Sequence, residues 1–399
     1  MTLPYDIVIG LEVHVQLATR TKLFCGCSTE FGRPPNTQTC PVCVGHPGTL
    51  PVMNRRAFEL SLRTAVALNC QIAPLTRWDR KQYYYPDLPK GYQISQYDEP
   101  YCLGGAVRAE LADGSARDIG LIRIHMEEDA GKLVHQDAGP WSEVDLNRAG
   151  VPLIEIVSLP EIRSPAEAHA YLMELRRVLR WVGVSDCEMQ EGTLRCDANV
   201  SVRPRGETRL GTRVEIKNLN SFRNVEAAIT YEIARQSGLC RAGRGAEIVQ
   251  ATVLWDPDAK VTRAMRSKED AADYRYFPDP DLPPLHLPAA RVEAIRAAMP
   301  ELPAARQARF MAEHGIERAA AIELTQERAV ADYVEELIRL GAKPRLAANW
   351  TREEALRLAN ESGRPIAEAA PPAVLDGGWA GLFWLWVLCR VHGSLGISS

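Results

Sequence analysis

The stretch that decides the fold is Tyr5-Asp-Ile-Val-Ile-Gly-Leu-Glu-Val-His-Val-Gln-Leu17. Its apolar side chains recur at every second position, at Ile7, Ile9, Leu11, Val13, Val15 and Leu17. Between them stand Gly10, Glu12, His14 and Gln16. A period of two predicts a half-buried strand, with Glu12 and His14 on its polar face.

Outward from this strand, sheet and helix signals mix without regular strand-helix alternation, which favours an α+β fold over a doubly wound one. Ser164 is the strongest helix start, because Pro165 fits the first turn, Glu167 completes a capping box and Gly183 provides a stop. The Tyr- and Pro-rich composition of the region 77–101 predicts a long loop. Strands are predicted at 106–111, 119–128, 151–159, 194–203 and 212–217, and helices at 54–69, 164–183 and 222–236.

The composition changes in the proline-rich segment 278–288, which predicts a domain boundary. The first domain is expected over 1–288. A small helical domain, rich in Ala, Glu, Arg and Leu, is expected over 289–370. The helical pattern is lost in 371–399, which we interpret as an atypical C-terminal segment.

The net charge of -4 argues against a generally basic nucleic-acid binder, although it allows a local basic patch. The N-terminus lacks the pattern of a signal peptide, and no apolar run reaches the roughly 20 residues of a membrane span. A cytoplasmic protein without a membrane segment is therefore expected. The ten cysteines then indicate metal binding or buried thiols rather than disulfides.

Four of the cysteines form two close pairs, Cys25-Gly-Cys27 and Cys40-Pro-Val-Cys43. Two thiolate pairs across a loop suit tetrahedral Zn²⁺, and closed coordination would make the site structural. The single residue between Cys25 and Cys27 is shorter than the usual spacing. Four buried or free thiols are the alternative interpretation of the loop 25–43.

A second metal signal is dispersed over three predicted strands. Glu12 and His14 share a face, Glu127 and Glu128 end a second strand, and Glu155 interrupts the apolar run 151–157. A carboxylate inside an apolar strand is costly unless it is paired or bound to metal. Oxygen-rich ligation would suit Mg²⁺ or Mn²⁺. From spacing alone, a solvated Glu12 and a structural His14 remain the alternatives.

The loop from Arg77 to Tyr97 interleaves cations with tyrosines, a combination that suits a nucleotide or a single-stranded RNA end. Arg80, Lys81 and Lys90 are the candidates for phosphate contact. A rigid, Tyr/Pro-packed loop with exposed charges is the alternative. The sequence has no phosphate-loop motif, no nucleophile elbow and no H-E-x-x-H, which disfavours those three enzyme classes.

At this point the sequence resembles the B-subunit family of the Asp/Glu-tRNA amidotransferases (GatB), in order over roughly residues 1–365. The motifs that carry the resemblance are Ile9-Gly-Leu-Glu-Val-His-Val-Gln16, Asp79-Arg-Lys-Gln-Tyr-Tyr-Tyr-Pro-Asp87, Gly91-Tyr-Gln-Ile-Ser-Gln96, His125-Met-Glu-Glu-Asp-Ala-Gly-Lys132, Pro152-Leu-Ile-Glu-Ile-Val157, Leu194-Arg-Cys-Asp-Ala-Asn199, Lys217-Asn-Leu-Asn-Ser-Phe222 and Asp273-Tyr-Arg-Tyr-Phe-Pro278.

The resemblance implies a cradle domain related to glutamine synthetase, with a mixed or antiparallel sheet, followed by a small all-α domain. It implies ATP-dependent activation of Glu-tRNA(Gln) or Asp-tRNA(Asn), which ammonia from a glutaminase partner then amidates. The implied partners are the amidase, or A-subunit, the small C-subunit and misacylated tRNA. The family normally continues into a further tail domain, so this chain is expected to be shortened at its C-terminus.

By the same resemblance, His14, Glu128 and Glu155 match the family's Mg²⁺ ligands at the phosphorylation site, with Glu12 alongside. Glu127 leaves the choice between the two neighbouring glutamates open. The four cysteines match the zinc-bearing branch of the family.

Two other functional classes remain as alternatives. One is a zinc-loop RNA-binding module without catalysis. The other is a stand-alone metal-dependent ligase or phosphotransferase that acts on a small carboxylic acid.

Overall fold

The computed structural model describes residues 4–135, 141–265 and 274–370. The predicted atypical segment 371–399 lies outside these ranges. The α+β class is confirmed, because a large mixed sheet occupies the first part of the chain and helices occupy the last. None of the helices in the described ranges combines the length and hydropathy that a bilayer crossing requires.

Thirteen strands form the principal sheet. Ten of them follow the order β15 (Val261–Ala264), β14 (Ala251–Asp256), β13 (Val214–Leu219), β12 (Leu194–Pro204), β1 (Tyr5–Gln16), β11 (Pro152–Ser158), β8 (Ala116–Glu128), β5 (Tyr92–Ser95), β4 (Asp79–Gln82) and β16 (Tyr276–Pro278). The strands β6 (Cys102–Leu103) and β7 (Ala106–Glu110) pair with β8, and β2 (Gln71–Ile72) pairs with β6. Neighbouring strands run antiparallel except β13 and β14.

Two smaller ladders complete the strands of the described ranges. They are β9 (Lys132–His135) with β10 (Ser142–Asp145), and β3 (Leu75–Thr76) with β17 (Leu285–His286). The prediction of an irregular loop over 77–101 is wrong in one respect. The strands β4 and β5 lie within this region and pair with each other. Their short length and the Tyr/Pro-rich turn between them hide the period of two.

The two faces of β1 differ as the alternation predicts. Leu11, Val13 and Val15 are fully buried, whereas Glu12 and His14 keep partial exposure. Because directly opposed residues of adjacent strands share a face, the same division extends into β11 and β12. One face of the sheet is therefore apolar and packed, and the other, here called the open face, is polar.

Four helices of the described ranges precede Pro300. They are α1 (Arg55–Ala67), α2 (Pro165–Trp181), α3 (Phe222–Arg241) and α4 (Ala289–Ala297), with a short 3₁₀ turn at Gly245–Glu247. The helix α3 packs on β12 and β13, and α2 packs on α3 and β7. The Ser164 hydroxyl accepts the Glu167 N–H at 3.1 Å, and Gly183 after the helix adopts φ +67°, as the capping signals predict.

The chain divides after Pro300 into two compact units. The sequence places the boundary near residue 288, but α4 belongs to the first unit, where it packs on α1 and Arg291 Nη2 donates to Glu59 Oε1 at 2.7 Å. In the second unit Phe310 is fully buried. Its helices are α5 (Pro303–His314), α6 (Arg318–Leu324), α7 (Arg328–Arg339), α8 (Pro344–Trp350), a π-helical segment (Thr351–Ala355), α9 (Leu356–Ser362) and α10 (Ile366–Ala369).

Truncation of a buried residue of α2 tests the packing of the apolar side. Leu175 has no exposed surface, so Leu175→Ala is expected to lower the free energy of unfolding by about 2–5 kcal/mol. Met173 on the same helix is 40% exposed, and Met173→Ala should cost less than about 1 kcal/mol. Chemical denaturation followed by tryptophan fluorescence measures both. Equal losses in the two variants would contradict this packing.

Candidate active site

Three strands of the open face align a row of ionisable side chains. His14 of β1 lies opposite Glu155 of β11, which in turn lies opposite His125 of β8. The Nε2 atoms of His14 and His125 each lie 3.4 Å from Oε2 of Glu155. The carboxylate that interrupts the apolar strand is therefore held between two imidazoles.

Glu127 joins this row from β8. It lies two residues beyond His125, hence on the same face, and its Oε1 is 3.9 Å from Nε2 of His14. The Ser95 hydroxyl donates to its Oε2 at 3.3 Å. The side chains of His14, Glu127 and Glu155, here called the metal group, each offer a ligand atom, and these atoms lie within 4.8 Å of one another.

The electrostatics of the group follow from its burial. Burial alone would lower the pKa of His125, but the charges and hydrogen bonds of Glu155 and Glu127 raise it to about 9. His14 is affected in the same direction, since Glu155 outweighs burial and raises its pKa. Burial would raise the pKa of Glu155, yet His125 and His14 hold it well below its ordinary value. The carboxylate therefore stays ionised.

Glu128 points the other way. Adjacent strand residues face opposite sides of a sheet, so Glu128 leaves the open face that Glu127 occupies. It forms an ion pair with Lys90 and accepts the backbone N–H of Ile94 at 2.9 Å. It also lines a pocket with Cys43 and Lys22. The structure thus does not bring Glu128, a predicted Mg²⁺ ligand, to His14 and Glu155; Glu127 has that position.

Glu12 lies beside the metal group, two residues before His14 on the same face. Asn199 donates its amide to Oε1 of Glu12 at 2.9 Å. Burial, followed by the charge of Glu155, raises the pKa of Glu12 despite this hydrogen bond. The structure therefore brings Glu12 near the site, as predicted, but outside the set of mutually close ligand atoms.

The three residues predicted to contact phosphate lie in different surroundings. Arg80 is paired with Asp279 at 2.8 Å and Asp281 at 2.7 Å, and Lys90 is paired with Glu128. Lys81 is on the open face, because Asp79 of its strand opposes Ser95, which opposes Glu127. Within the described ranges Lys81 has no carboxylate partner, and its Nζ lies 4.6 Å from the ring centroid of Tyr274.

Several open-face residues were missed at the sequence level. His125 is one. Arg195 and Lys217 are others: Arg195 Nη2 lies 2.8 Å from Asp129, and Lys217 Nζ lies 2.7 Å from Asp197. The available signal was the alternation of Arg195, Asp197 and Asn199 along an otherwise apolar strand. Which carboxylate each cation meets depends on strand neighbours that spacing does not reveal.

A wide cleft continues from the site along one side. Gln16, Arg195 and Asp197 line it together with residues of the cysteine loop, and its walls carry both cations and carboxylates, among them Arg20 and Glu30. The buried Asp129 orients the floor of this cleft, since it accepts from Gln16 at 2.7 Å and from Arg195 at 2.8 Å. The cleft offers room for a ligand larger than a metal ion.

The four cysteines of the predicted zinc loop converge. The sulfur atoms of Cys25, Cys27, Cys40 and Cys43 lie within 4.8 Å of one another and could bind a zinc ion. Lys22 has no exposed surface, and its Nζ lies 3.5 Å from Sγ of Cys43. An ammonium at that distance offsets the excess negative charge of four thiolates around one divalent ion.

Gly45 brings the cysteine loop close to Lys90. It adopts φ +73°, and a Cβ atom there would overlap the side chain of Lys90. Both the conformation and the close approach require glycine. The loop therefore borders the pocket in which Lys90 meets Glu128, on the side of β8 opposite the metal group.

Comparison with known proteins shows the family of this chain. Residues 7–293 match the family model described as the GatB/GatE catalytic domain. The chain is 54% identical to the B-subunit of the aspartyl/glutamyl-tRNA(Asn/Gln) amidotransferase of Carboxydothermus hydrogenoformans over 367 residues, which cover 91% of this chain and 76% of that protein. It is 54% identical to the same protein of Thermodesulfovibrio yellowstonii and 50% identical to that of Brevibacillus brevis, with coverage of 92% and 91% of this chain and 76% of each relative. The chain belongs to the B-subunit family of the aspartyl/glutamyl-tRNA amidotransferases.

Proposed function

We propose that this chain is the activating component of a tRNA-dependent amidotransferase. It transfers the terminal phosphoryl group of ATP to the side-chain carboxylate of Glu-tRNA(Gln), Asp-tRNA(Asn) or both. Ammonia released from glutamine by a partner amidase then forms the amide. The observation that carries the proposal is the meeting of His14, Glu127 and Glu155 on the open face of a family member.

The reaction order follows from carboxylate chemistry. A carboxylate is a poor acyl donor to ammonia, because its negative charge repels a nucleophile and oxide is a poor leaving group. Attack of one carboxylate oxygen on the γ-phosphorus breaks the bond to ADP and gives an acyl phosphate. Ammonia then forms the C–N bond, inorganic phosphate leaves, and the ammonia nitrogen loses a proton. Positioning and charge stabilisation are the main demands on the protein.

The metal group fits a divalent cation that prefers oxygen ligands. Two carboxylates and one imidazole suit Mg²⁺ or Mn²⁺. The distances of 3.4 and 3.9 Å from His14 Nε2 to the two carboxylates exceed the roughly 3 Å between neighbouring ligand atoms of an octahedral Mg²⁺, so binding would draw these atoms together. Mg²⁺, when bound, would neutralise charge on the transferring phosphoryl group. His125 orients Glu155, and Asn199 holds Glu12 beside the group.

Among the predicted phosphate contacts, Lys81 is the first choice. Arg80 and Lys90 each have their charge offset by carboxylates, whereas Lys81 lies on the open face over an aromatic ring. A protein partner must supply ammonia in this proposal, and the amidase A-subunit and the small C-subunit remain the proposed partners. The wide cleft beside Gln16 and Arg195 is where we propose that the acceptor end of misacylated tRNA enters.

Replacement of the central carboxylate separates catalysis from RNA binding. Glu155→Gln keeps the shape of the side chain but removes its charge. In the assembled complex it should lower ATP- and glutamine-dependent amidation of misacylated tRNA by about 100-fold or more, and leave tRNA affinity unchanged. Glu207→Gln, an exposed carboxylate, is the matched control. Full amidation by Glu155→Gln would refute the metal assignment, and loss of RNA binding alone would favour an RNA-binding module.

The choice between Glu127 and Glu128 is tested by metal affinity rather than by activity. We expect Glu127→Gln to weaken Mn²⁺ binding at least about tenfold, because one of three ligands is lost. Glu128→Gln should leave it unchanged, since that carboxylate faces Lys90. Electron paramagnetic resonance titration of free Mn²⁺ measures both. The reverse order of effects would restore Glu128 as the ligand.

Structural zinc is the third part of the proposal. Zinc would stabilise a loop that has little core of its own. Purified chain should therefore contain zinc by mass spectrometry, and Cys40→Ser should lose it and unfold at a lower temperature. Cys240→Ser alters a cysteine outside the cluster and should retain both zinc and stability. Equal zinc content in the two variants would exclude coordination by the cluster.

A further inference from the structure

Three tyrosines form a partly exposed aromatic surface near the edge of the sheet. The rings of Tyr83 and Tyr85 stack with centroids 5.7 Å apart and planes inclined by 24°, and Tyr274 lies 5.8 Å from Tyr83. Tyr85 and Tyr274 are 48% and 44% exposed. We call this set, Tyr83, Tyr85 and Tyr274, the tyrosine platform. Its rings are more exposed than their size would allow in a packed core.

The platform adjoins the metal group. Tyr276 lies two residues beyond Tyr274 and opposes Lys81 across the ladder of β16 and β4. Its ring stacks on Tyr97 with centroids 4.0 Å apart. Asp79, two residues before Lys81 on β4, opposes Ser95, which opposes Glu127 of the metal group and donates to it. The platform therefore begins two strands away from Glu127.

A cation completes the surface. Lys81 Nζ lies 4.6 Å from the ring centroid of Tyr274 and has no carboxylate partner in the described ranges. An aromatic surface beside an ammonium combines stacking with attraction for phosphate. The metal group lies on the same face. The order along the open face is thus ring surface, cation, metal ligands, which matches the order base, inner phosphates, terminal phosphate in an extended nucleotide.

We infer that the tyrosine platform binds an adenine ring by stacking, with Lys81 directed at the attached phosphates. The inference rests on the proposed function, which brings two adenines to the open face: that of ATP and that of the 3′-terminal adenosine of tRNA. Tyrosine can hold the adenine ring by stacking alone, because stacking does not depend on hydrogen bonds to the edge of the base. Binding through the ring is separable from binding through phosphate.

The test compares ligands with and without the base. In the assembled complex, Tyr85→Ala and Tyr274→Ala should each weaken Mg²⁺-ATP affinity about tenfold in isothermal titration calorimetry. Affinity for inorganic tripolyphosphate, which lacks the base, should not change. Tyr85→Phe keeps the ring and should bind as the wild type does. Tyr84→Ala is the matched control, since Tyr84 is the neighbouring residue, is 85% exposed and lies outside the platform.

A second arm distinguishes the source of the adenine. Uncharged tRNA with and without its terminal adenosine is titrated against the same variants. Loss of the advantage of the complete tRNA, with ATP affinity unchanged, assigns the platform to the RNA end; loss of ATP affinity assigns it to the nucleotide. If neither changes, or if ATP and tripolyphosphate weaken together, the inference is overturned. Loss of co-purifying partner proteins with nucleotide binding intact would also overturn it, in favour of a protein contact.

These readouts are independent of amidation. Glu155→Gln should abolish amidation and still show base-dependent binding that Tyr85→Ala removes. If the wild-type chain binds adenine at the platform but carries out no tRNA-dependent reaction, the proposed function is refuted and the adenine site is retained. If the wild-type chain carries out amidation and the tyrosine variants have no effect on binding, the adenine site is refuted and the proposed function is retained.

Discussion

The structure depends on one costly placement, the carboxylate of Glu155 in the middle of an apolar strand. A side chain that is 16% exposed cannot keep its charge by hydration alone. His14 and His125 offset that cost from the two adjacent strands, each at 3.4 Å. Because the three residues are directly opposed in register, a slip of one residue in either ladder would leave the charge facing the wrong side.

The same register divides the work of the sheet between its faces. Leu11 and Val13 alternate with Glu12 and His14, so the residues buried on the apolar side and those that form the site come from one strand. The dipeptide Glu127-Glu128 repeats the division on β8. Its first carboxylate joins the metal group and its second meets Lys90 beside the cysteine loop. The cysteine loop and the metal group therefore lie on opposite sides of the same strand, β8.

Much of this arrangement was predictable because it is local. The alternation of β1 indicated its buried face, the capping box at Ser164 indicated the start of α2, and the apolar neighbours of Glu155 marked it as a costly placement that needs partners. The grouping of the four cysteines also followed from spacing.

What sequence reasoning missed is non-local. Glu127 and Glu128 both end the same strand, and only the pairing of β8 with β11 decides which of them meets His14. Arg80 looked free for phosphate, but Asp279 and Asp281, about 200 positions later in the chain, neutralise it. His125 gave no signal of its own, because a lone histidine in a strand is usually structural. The resemblance favoured Glu128, and the fold favours Glu127.

The central claim is that His14, Glu127 and Glu155 hold one divalent cation, and anomalous diffraction tests it directly. Crystals of the complex grown with Mn²⁺ and a non-hydrolysable ATP analogue should give an anomalous peak about 2.0–2.3 Å from His14 Nε2 and from one oxygen of each carboxylate. Residual density beside the ion should belong to the terminal phosphate. A peak bound instead by Glu128, or no peak between the three side chains, would contradict the account.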